Sequence, residues 1–345
     1  MMPPVVKNPP TPLALTMGDP AGIGPDITLQ SWCERDAAGL PAFIVLGDPE
    51  VFSTRARDLG LTVPIEEVGA PDAACACFAH ALPVYPLRLP KPVKPGMPDV
   101  TSAAIIIDAI DLGVEWVKNG KAAALVTNPI NKKLLSEAGF AHPGHTEYLA
   151  ELCSNGGSKP HPVMMLASEE LRVVPTTVHI PLKDVPEVLS KVLLEKTIRT
   201  TAQGLRDLFK IPAPKICITG LNPHAGEDGT MGREELEIIS PVIRRLTDDG
   251  YDVSGPYPAD AAFRENMRNQ FDAVIAMYHD QALIPIKTLA FHKSVNLTLG
   301  LPIIRTSPDH GTAYELAGTG NANPGSLIES LRLAQTLAMS ELAST

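Results

Sequence analysis

The sequence predicts an α/β fold of two domains, and three observations favour this class. The chain has 345 residues, which is enough for two domains with a substantial core. Short apolar runs of strand length alternate with longer helical patterns along most of the chain. Several of the apolar runs end abruptly in polar clusters, which is typical of parallel sheets whose strand ends form a ligand site. We therefore expect a largely parallel sheet flanked by helices.

The expected strands are short runs of apolar and β-branched residues. They cover residues 13–17, 42–47, 123–127, 162–167, 173–178, 215–220 and 273–277. Longer helical patterns lie between several of these runs, at residues 101–118, 184–209 and 232–249. The segment 83–99 contains six prolines, so we expect an extended surface connector there.

Composition and charge exclude several kinds of partner. The formal net charge is −10 and no basic cluster is present, so neither nucleic acid nor an anionic membrane is expected as the main partner. No apolar run approaches the length of a membrane span, and residues 1–12 lack the apolar core of a signal peptide. The five cysteines are scattered, as expected for reduced thiols. We expect a cytoplasmic protein that meets anionic ligands in a local basic pocket.

Three histidines follow three of the predicted strands, namely His179, His224 and His279. Imidazole is the commonest protein ligand for borderline metals, and strand ends can bring distant histidines together without a local motif. Any one of them alone is more typical of a turn histidine with a structural partner. Together, with Asp280 adjacent and Asp260 in a neighbouring segment, they favour a divalent-metal site.

Basic and polar side chains after His279 suggest an anion site. Lys287, Asn296 and Arg305 could clamp a phosphate or a carboxylate, although each alone is equally typical of a solvated surface. His145 and Thr146 stand at a predicted helix start, where free backbone N–H groups favour an anion. Ordinary capping by Thr146 explains that pattern equally well.

Two glycine-rich segments are weaker evidence for a ligand-binding loop. Gly18, Gly22 and Gly24 precede Pro25, but their spacing matches neither a Walker loop nor the dinucleotide fingerprint, so a tight strand-to-helix turn is the simplest interpretation. Residues 309–325 form either a loop that a ligand approaches closely or a flexible surface loop. No GxSxG motif is present, which disfavours a serine hydrolase.

Seven segments together resemble the 4-hydroxythreonine-4-phosphate dehydrogenase family of pyridoxal 5′-phosphate biosynthesis. They are "LTMGDPAGIGP", "VTNPINK", "GHTEYLAEL", "GLNPHAGEDGTMGREE", "GPYPADAAF", "AMYHDQALIPIK" and "VNLTLGLPIIRTSPDHGTAYELAG". The resemblance covers residues 13–335 and extends distantly to isocitrate and isopropylmalate dehydrogenases. It implies their fold, with two α/β domains around a central cleft. Domain one would be residues 1–124 and 290–345 on the cofactor side, and domain two would be residues 125–289, with the metal, the substrate and the dimer interface.

The resemblance also implies a reaction. NAD, or NADP, would oxidise 4-phosphooxy-L-threonine to 2-amino-3-oxo-4-phosphooxybutanoate, which decarboxylates to 3-amino-2-oxopropyl phosphate. A divalent metal, zinc before cobalt or magnesium, would assist. The implied enzyme is a homodimer whose site is shared across the interface, with His279 supplied by the partner chain.

The residues carried over from the family fall into four groups. The implied metal ligands are His179, His224 and His279. The implied substrate contacts are His145, Thr146, Lys287, Asn296 and Arg305. The implied catalytic residues are Lys287 for proton transfer, and Asp260 and Asp280 for orienting imidazoles or completing coordination. The implied cofactor contacts are Gly18, Asp19, His310, Gly311 and Asn323.

Two departures and two alternatives accompany the resemblance. Val178 stands where many members have threonine, and the segment 153–162 is longer than in some relatives and contains His161, a competing candidate ligand. The first alternative is a sibling dehydrogenase that acts on a phosphorylated sugar acid, 4-phospho-D-erythronate or threonate, or on a cis-dihydrodiol. The second is a metal-free phosphate acyltransferase of similar architecture.

Overall fold

The computed structural model describes residues 11–140, 142, 144–154 and 159–342, and the predicted α/β class is confirmed. The strands within these residues are β1 (Leu13–Thr16), β2 (Phe43–Gly47), β3 (Ile65–Glu67), β4 (Leu82–Pro86), β5 (Leu125–Thr127), β6 (Val163–Ala167), β7 (Arg172–Pro175), β8 (Ile216–Thr219), β9 (Val253–Tyr257), β10 (Ala273–Ala276), β11 (Val295–Leu299) and β12 (Arg305–Pro308).

The α-helices alternate with these strands. They are α1 (Gly24–Cys33), α2 (Arg35–Ala38), α3 (Pro49–Asp58), α4 (Pro71–Cys77), α5 (Ala103–Lys118), α6 (Lys132–Glu137), α7 (His145–Leu152), α8 (Val185–Val188), α9 (Lys191–Asp207), α10 (Ser240–Asp248), α11 (Ala259–Ala262), α12 (Glu265–Arg268), α13 (His279–Ala290) and α14 (Gly325–Leu342). Shorter helical turns lie at Val100–Ser102, Leu182–Asp184, Pro223–Gly229 and Glu235–Ile239, and the last of these is a π-helical turn.

The chain forms two compact units. Unit 1 is Met1–Pro160 with Leu301–Thr345, and unit 2 is His161–Gly300. These bounds differ from those of the predicted domains, because strand pairing decides them. β5 pairs with β1 and β12, so the segment after residue 124 belongs to unit 1. β11 pairs with β6, so residues 295–299 belong to unit 2. The functions assigned to the predicted domains stay predictions.

Unit 1 has a parallel strand order, β3-β4-β2-β1-β5-β12. Helices pack against this sheet, so its central strands are buried; all four residues of β1 and all five of β2 are buried. Helix α5 lies against the sheet with Ile106 and Ile110 buried. A Cβ on Gly113 would come within 2.6 Å of Leu125 Cδ1, so this glycine lets α5 approach β5 closely.

Unit 2 has a mixed strand order, β11-β6-β7-β10-β8-β9. β7, β10, β8 and β9 are parallel, as predicted, whereas β6 is antiparallel to both of its neighbours. Only residues 168–171 link β6 to β7, and a parallel connection needs a dozen residues or more. The short link therefore imposes a hairpin.

The remaining predictions for elements are mostly confirmed. Each predicted strand overlaps an observed strand, and α5, α9 and α10 lie within the predicted helical segments. The expected connector 83–99 begins instead with the last four residues of β4, paired in parallel with β2 and β3. No helix in the described ranges is long and apolar enough to cross a membrane.

Candidate active site

The three histidines predicted as metal ligands follow three adjacent parallel strands of unit 2. His179 follows β7, His279 follows β10 and His224 follows β8, and β10 lies between the other two strands. Parallel strands deliver their carboxyl ends to the same edge of a sheet, so the chain after each strand emerges on one side. The strand order therefore gathers the three histidine-bearing segments, which are far apart in sequence, at one edge of unit 2.

The pairing of β7 with β10 brings two of the histidines together. Beyond the strands, the amides of Thr176 and Thr177 donate to the carbonyls of Ala276 and Met277, which continues the register. The rings of His179 and His279 have centroids 5.6 Å apart. This proximity within one chain was not part of the prediction, which drew His279 from a partner.

Asp280 orients the His279 ring. Nδ1 of His279 and Oδ1 of Asp280 are 2.7 Å apart, so a neutral ring donates its Nδ1 proton to the carboxylate and presents the Nε2 lone pair. Metal-binding histidines usually have such a partner, which fixes their tautomer and raises their basicity. Asp280 is therefore in contact with the His279 ring, and its role in orienting a metal ligand stays a prediction. Asp260 lies in the first turn of α11 and lines the same groove as Asp280.

His224 lies in an unusual turn, Pro223–Gly229, which we call the His224 turn. Its residues 224–228 all have left-handed backbone angles, with φ between 44° and 78°. Left-handed backbone costs an L-residue roughly 1–2 kcal/mol, so a run of this kind must be held by its surroundings. Strain of this type concentrates at functional sites.

The described part of one chain does not complete a metal site. No group of three His, Cys, Asp or Glu side chains in it is close enough to hold an ion. The donor types nevertheless suit a borderline cation, since His179 and His279 supply imidazole nitrogen and Asp280 supports one ring. His161 is not part of this group; burial and the charge of Lys196 lower its pKa. Residues 155–158 of the longer segment lie outside the described residues.

Helix α13 carries further predicted residues. Lys287 lies two turns after His279, about 12 Å along the helix, with Nζ 5.8 Å from the Phe291 ring centroid. Gln281, which the sequence reasoning did not single out, fixes the start of this helix. Its Oε1 accepts from the Thr219 hydroxyl and the Met277 amide, and its Nε2 donates to the Gly220 carbonyl. The ends of β8 and β10 are thus tied to α13.

Unit 1 brings His145 and Arg305 together. The Arg305 guanidinium is buried and donates from Nε and Nη2 to the Thr127 hydroxyl, at 3.2 and 2.7 Å. Its Nη2 also lies 3.4 Å from His145 Nδ1. Burial lowers the pKa of Arg305 to about 10. This pKa is still well above neutral pH, and the guanidinium therefore stays charged. Thr127 was predicted only as part of a strand, because nothing local signals a partner 178 residues away.

His145 is a buried, neutral donor. Burial first, and then the charges of Arg305 and Lys132, hold its pKa well below the ordinary histidine value. Because an arginine only donates, Nδ1 of His145 accepts and the neutral ring carries its proton on Nε2. That Nε2 is buried without a hydrogen-bond partner among the described residues. A buried donor beside a buried cation is suited to an anionic oxygen.

The start of α7 adds to this cluster. The helix begins at His145, and its N-cap is Gly144, which has no side-chain cap. Capping by Thr146, the structural alternative for this motif, is therefore wrong. Lys132 Nζ lies 3.7 Å from the position that a Cβ on Gly144 would occupy, so a second cation stands beside the helix start. Asn296, in β11, and Lys287 belong to unit 2, so the five predicted substrate contacts are divided between the units.

The predicted cofactor residues lie in two loops of unit 1 that touch each other. Gly18 has φ +74°, and a Cβ there would lie 2.6 Å from the Pro129 carbonyl oxygen, so only glycine fits this turn. Asp19 is buried, and its oxygens accept from the Ala21 amide and the Tyr314 hydroxyl. Burial raises the pKa of Asp19. These contacts give Gly18 and Asp19 a role within the turn, and their contact with a cofactor stays a prediction.

The second loop is more open. A Cβ on Gly311 would meet nothing within 4 Å, so the backbone there is accessible to a ligand. His310 Nδ1 lies 3.1 Å from the Gly311 carbonyl oxygen, and Asn323 Oδ1 accepts from the Gly325 amide before α14. The Ile23 amide donates to the Thr312 carbonyl, which joins the two loops. The open loop fits a bound nucleotide better than the buried turn does.

Comparison with known proteins places the chain among the dehydrogenases. A relative from Xanthobacter autotrophicus named 4-hydroxythreonine-4-phosphate dehydrogenase is 52% identical over 333 residues, which cover 96% of this chain and 95% of the relative. The crystal structure of a protein with that name from Klebsiella pneumoniae is 35% identical with a TM-score of 0.83, covering 95% of this chain and 98% of that one. The chain belongs to the family described as pyridoxal phosphate biosynthetic protein PdxA, whose profile matches residues 40–334.

A more distant structure shares the fold. The terephthalate 1,2-cis-dihydrodiol dehydrogenase of Burkholderia xenovorans is 27% identical with a TM-score of 0.61, covering 94% of this chain and 98% of that one. Its substrate class is one of the alternatives that the sequence left open. The resemblance to the family that the motifs indicated is confirmed.

The buried His145 makes stability depend on pH. Below pH 6.5 an unfolded chain protonates this histidine while the folded chain does not, so the free energy of unfolding falls as the pH falls. We expect His145→Asn to reduce the loss between pH 8 and pH 5.5 by about 1 kcal/mol, measured by urea unfolding. The same substitution at the exposed His80 of unit 1 is the control. An equal loss in His145→Asn and wild type would contradict a neutral, buried ring.

Proposed function

We propose that the protein oxidises 4-phosphooxy-L-threonine with NAD to 2-amino-3-oxo-4-phosphooxybutanoate, which then decarboxylates to 3-amino-2-oxopropyl phosphate in pyridoxal 5′-phosphate biosynthesis. The observation that carries the proposal is the position of three histidines after three adjacent parallel strands, in a chain that belongs to this family. The relatives with about half of their residues identical have the corresponding name.

His179, His224 and His279 are the residues that would hold the divalent cation. A bound cation would supply positive charge that acidifies the substrate hydroxyl and stabilises negative charge on oxygen as CO2 leaves. Neutral nitrogen donors favour zinc or cobalt over magnesium, which prefers oxygen. The Asp280 carboxylate keeps the His279 ring in the tautomer that presents Nε2. Lys287, on the same helix, is our candidate for proton transfer, and Asp260 is a further orienting carboxylate.

The buried cluster of unit 1 would bind an anionic group of the substrate. Arg305 supplies a charge that water does not screen, and His145 supplies a donor from Nε2. Thr127 holds the guanidinium, and Lys132 adds a second cation. These contacts favour a small phosphorylated substrate, to which Thr146, Lys287 and Asn296 would contribute further contacts. NAD would use the open loop of His310, Gly311 and Asn323 beside the turn of Gly18 and Asp19.

The active enzyme would be a homodimer that completes the site. Helix α13 begins at His279 and exposes Ile284, Leu289 and Phe291, with Ile284 and Phe291 64% and 65% accessible. The groove along its start has a volume of about 400 Å³ and a mostly apolar lining that includes Phe263. Apolar surface of this kind marks an interface. A second copy seated there would bring further ligands to the paired histidines.

The sibling dehydrogenase activities remain the alternative, while family membership disfavours the acyltransferase. We expect NADH formation with 4-phosphooxy-L-threonine, loss of activity on chelation, and recovery with Zn2+ or Co2+. The substrate preference is measured with a panel that includes 4-phospho-D-erythronate and a cis-dihydrodiol. The absorbance of the NADH formed reports the rate of each reaction. Turnover of either panel substrate faster than that of 4-phosphooxy-L-threonine would contradict the proposed substrate.

Substitutions at the paired histidines test the metal site. His279→Ala should abolish turnover and metal content, because an imidazole donor is lost. Asp280→Asn should reduce metal affinity about 10–100-fold, because the ring loses its partner. The exposed His292→Ala on the segment after α13 is the matched control. If His279→Ala kept turnover and metal content near the wild-type level, His279 would not be a metal ligand.

Thr127 should act through Arg305. Thr127→Val keeps the shape of the side chain but removes the hydroxyl that accepts two guanidinium bonds. We expect it to raise KM for the phosphorylated substrate on the order of tenfold, with a smaller change in kcat, because charged hydrogen bonds contribute about 1.5–3 kcal/mol. Thr127→Ser retains the hydroxyl and should restore KM. Equal KM values in the valine and serine variants would contradict this role.

A further inference from the structure

The buried carboxylate of Glu235 lies at the entrance to the His224 turn, where the half-buried Glu234 also accepts from Asn222 Nδ2, at 2.7 Å. Glu235 is only 3% exposed and stands first in the π-helical turn Glu235–Ile239. Its Oε1 accepts from the amides of Leu221 and Asn222, each at 2.8 Å, and its Oε2 accepts from Asn222 Nδ2 at 2.9 Å. The three bonds reach the two residues that enter the turn, so they fix the direction in which the chain approaches His224.

Two glycines make room for this carboxylate. A Cβ on Gly226, inside the turn, would lie 2.5 Å from Glu235 Oε2. A Cβ on Gly220, at the end of β8, would lie 3.1 Å from Oε1 and 2.8 Å from the Cα of Ala225. Any other residue at either position would push the carboxylate or the turn aside. The carboxylate therefore contacts the segment both before and after His224.

A purely stabilising role explains the burial of Glu235 poorly, because no cationic side chain in the described ranges pairs with it. Within the described ranges, Glu235 forms no ion pair, and its charge is met by N–H groups alone. A buried carboxylate carries a large desolvation penalty, and an apolar side chain in its place is often as stabilising. What the carboxylate provides is direction, since each of its bonds goes to Leu221 or Asn222, the two residues that lead into the strained turn. By contrast, the neighbouring Glu237 pairs with Arg233 at the surface.

We infer that Glu235 is a positioning residue for His224: by clamping the left-handed turn Pro223–Gly229, it holds the imidazole in the orientation that a divalent cation requires. The inference rests on the proposed metal site. Glu235 touches neither metal nor substrate, and it acts through the backbone of the turn. The metal-free protein should already hold the turn, because the clamp contains only groups of this chain.

Graded variants test the clamp. Glu235→Ala removes all three bonds, and Glu235→Gln keeps an acceptor for the two amides but turns a donor toward Asn222. Gly226→Ala disturbs the same contact from the other side. Glu237→Gln is the matched control, since it removes a surface charge two residues away. The readouts are the dissociation constant for Co2+, measured by competition with a chelating dye, and hydrogen exchange of residues 221–229 in the metal-free dimer.

We expect Co2+ affinity to fall about 10–100-fold in Glu235→Ala, as is usual when support for a ligand is lost, and less in Glu235→Gln. Exchange protection at Leu221 and Asn222 should fall in parallel, with Tm and circular dichroism close to wild type. Gly226→Ala should follow the same direction and Glu237→Gln should match wild type. Unchanged Co2+ affinity in Glu235→Ala and Gly226→Ala, or losses that only track a lower Tm, would overturn the inference. A wild-type protein without Co2+ affinity would instead overturn the proposed metal site itself.

Discussion

The parallel pairing of β7, β10 and β8 is the constraint on which the candidate metal site depends. Residues that follow these strands emerge at one edge, so the three segments that carry His179, His224 and His279 leave the sheet on the same side of unit 2. Gln281 reinforces the arrangement, because it bonds the ends of β8 and β10 to the first turn of α13. Helix α13 and the strand ends therefore form one hydrogen-bonded assembly.

The two units use charge in different ways. In unit 1, burial lowers the pKa of both Arg305 and His145, but Arg305 keeps its charge at neutral pH and His145 loses it, so an anion there would meet one desolvated cation and one neutral donor. Because His145 is neutral, it does not repel the Arg305 guanidinium, whose Nη2 lies 3.4 Å from His145 Nδ1. In unit 2, the Asp280 carboxylate contacts the His279 ring and the Glu235 carboxylate accepts from the backbone before His224, so in the proposed site they would orient two imidazoles, one directly and one through the backbone. The proposed anion binding and the proposed ligand orientation would thus depend on separate charged groups, buried in Arg305 and Glu235 and exposed in Asp280.

The fold was largely predictable from the sequence, and the errors of the prediction have physical causes. Apolar runs such as β1 and β10 are recognisable because strands covered on both faces are continuously apolar. The antiparallel direction of β6 was missed, although the link to β7 is too short for a crossover. Among the described residues, five observed strands were not predicted, namely β3, β4, β9, β11 and β12. In β9 and β12 the reason is local, because their sequences contain glycine, proline or a charged residue. The bounds of the compact units differ from those of the predicted domains, because the units follow strand pairing and the prediction followed the order of motifs.

By itself the sequence determined the α/β class, the strand ends that carry polar side chains, and the family, since each of these depends on residue types and spacing along the chain. Only the tertiary structure decided which side chains meet. The bonds of Arg305 to Thr127 and of Gln281 to Thr219 join residues 178 and 62 positions apart. Burial decided that His145 is neutral, and the left-handed backbone after β8 gave Glu235 its partners. Pairing and desolvation arise from the packed chain, and no local pattern encodes them.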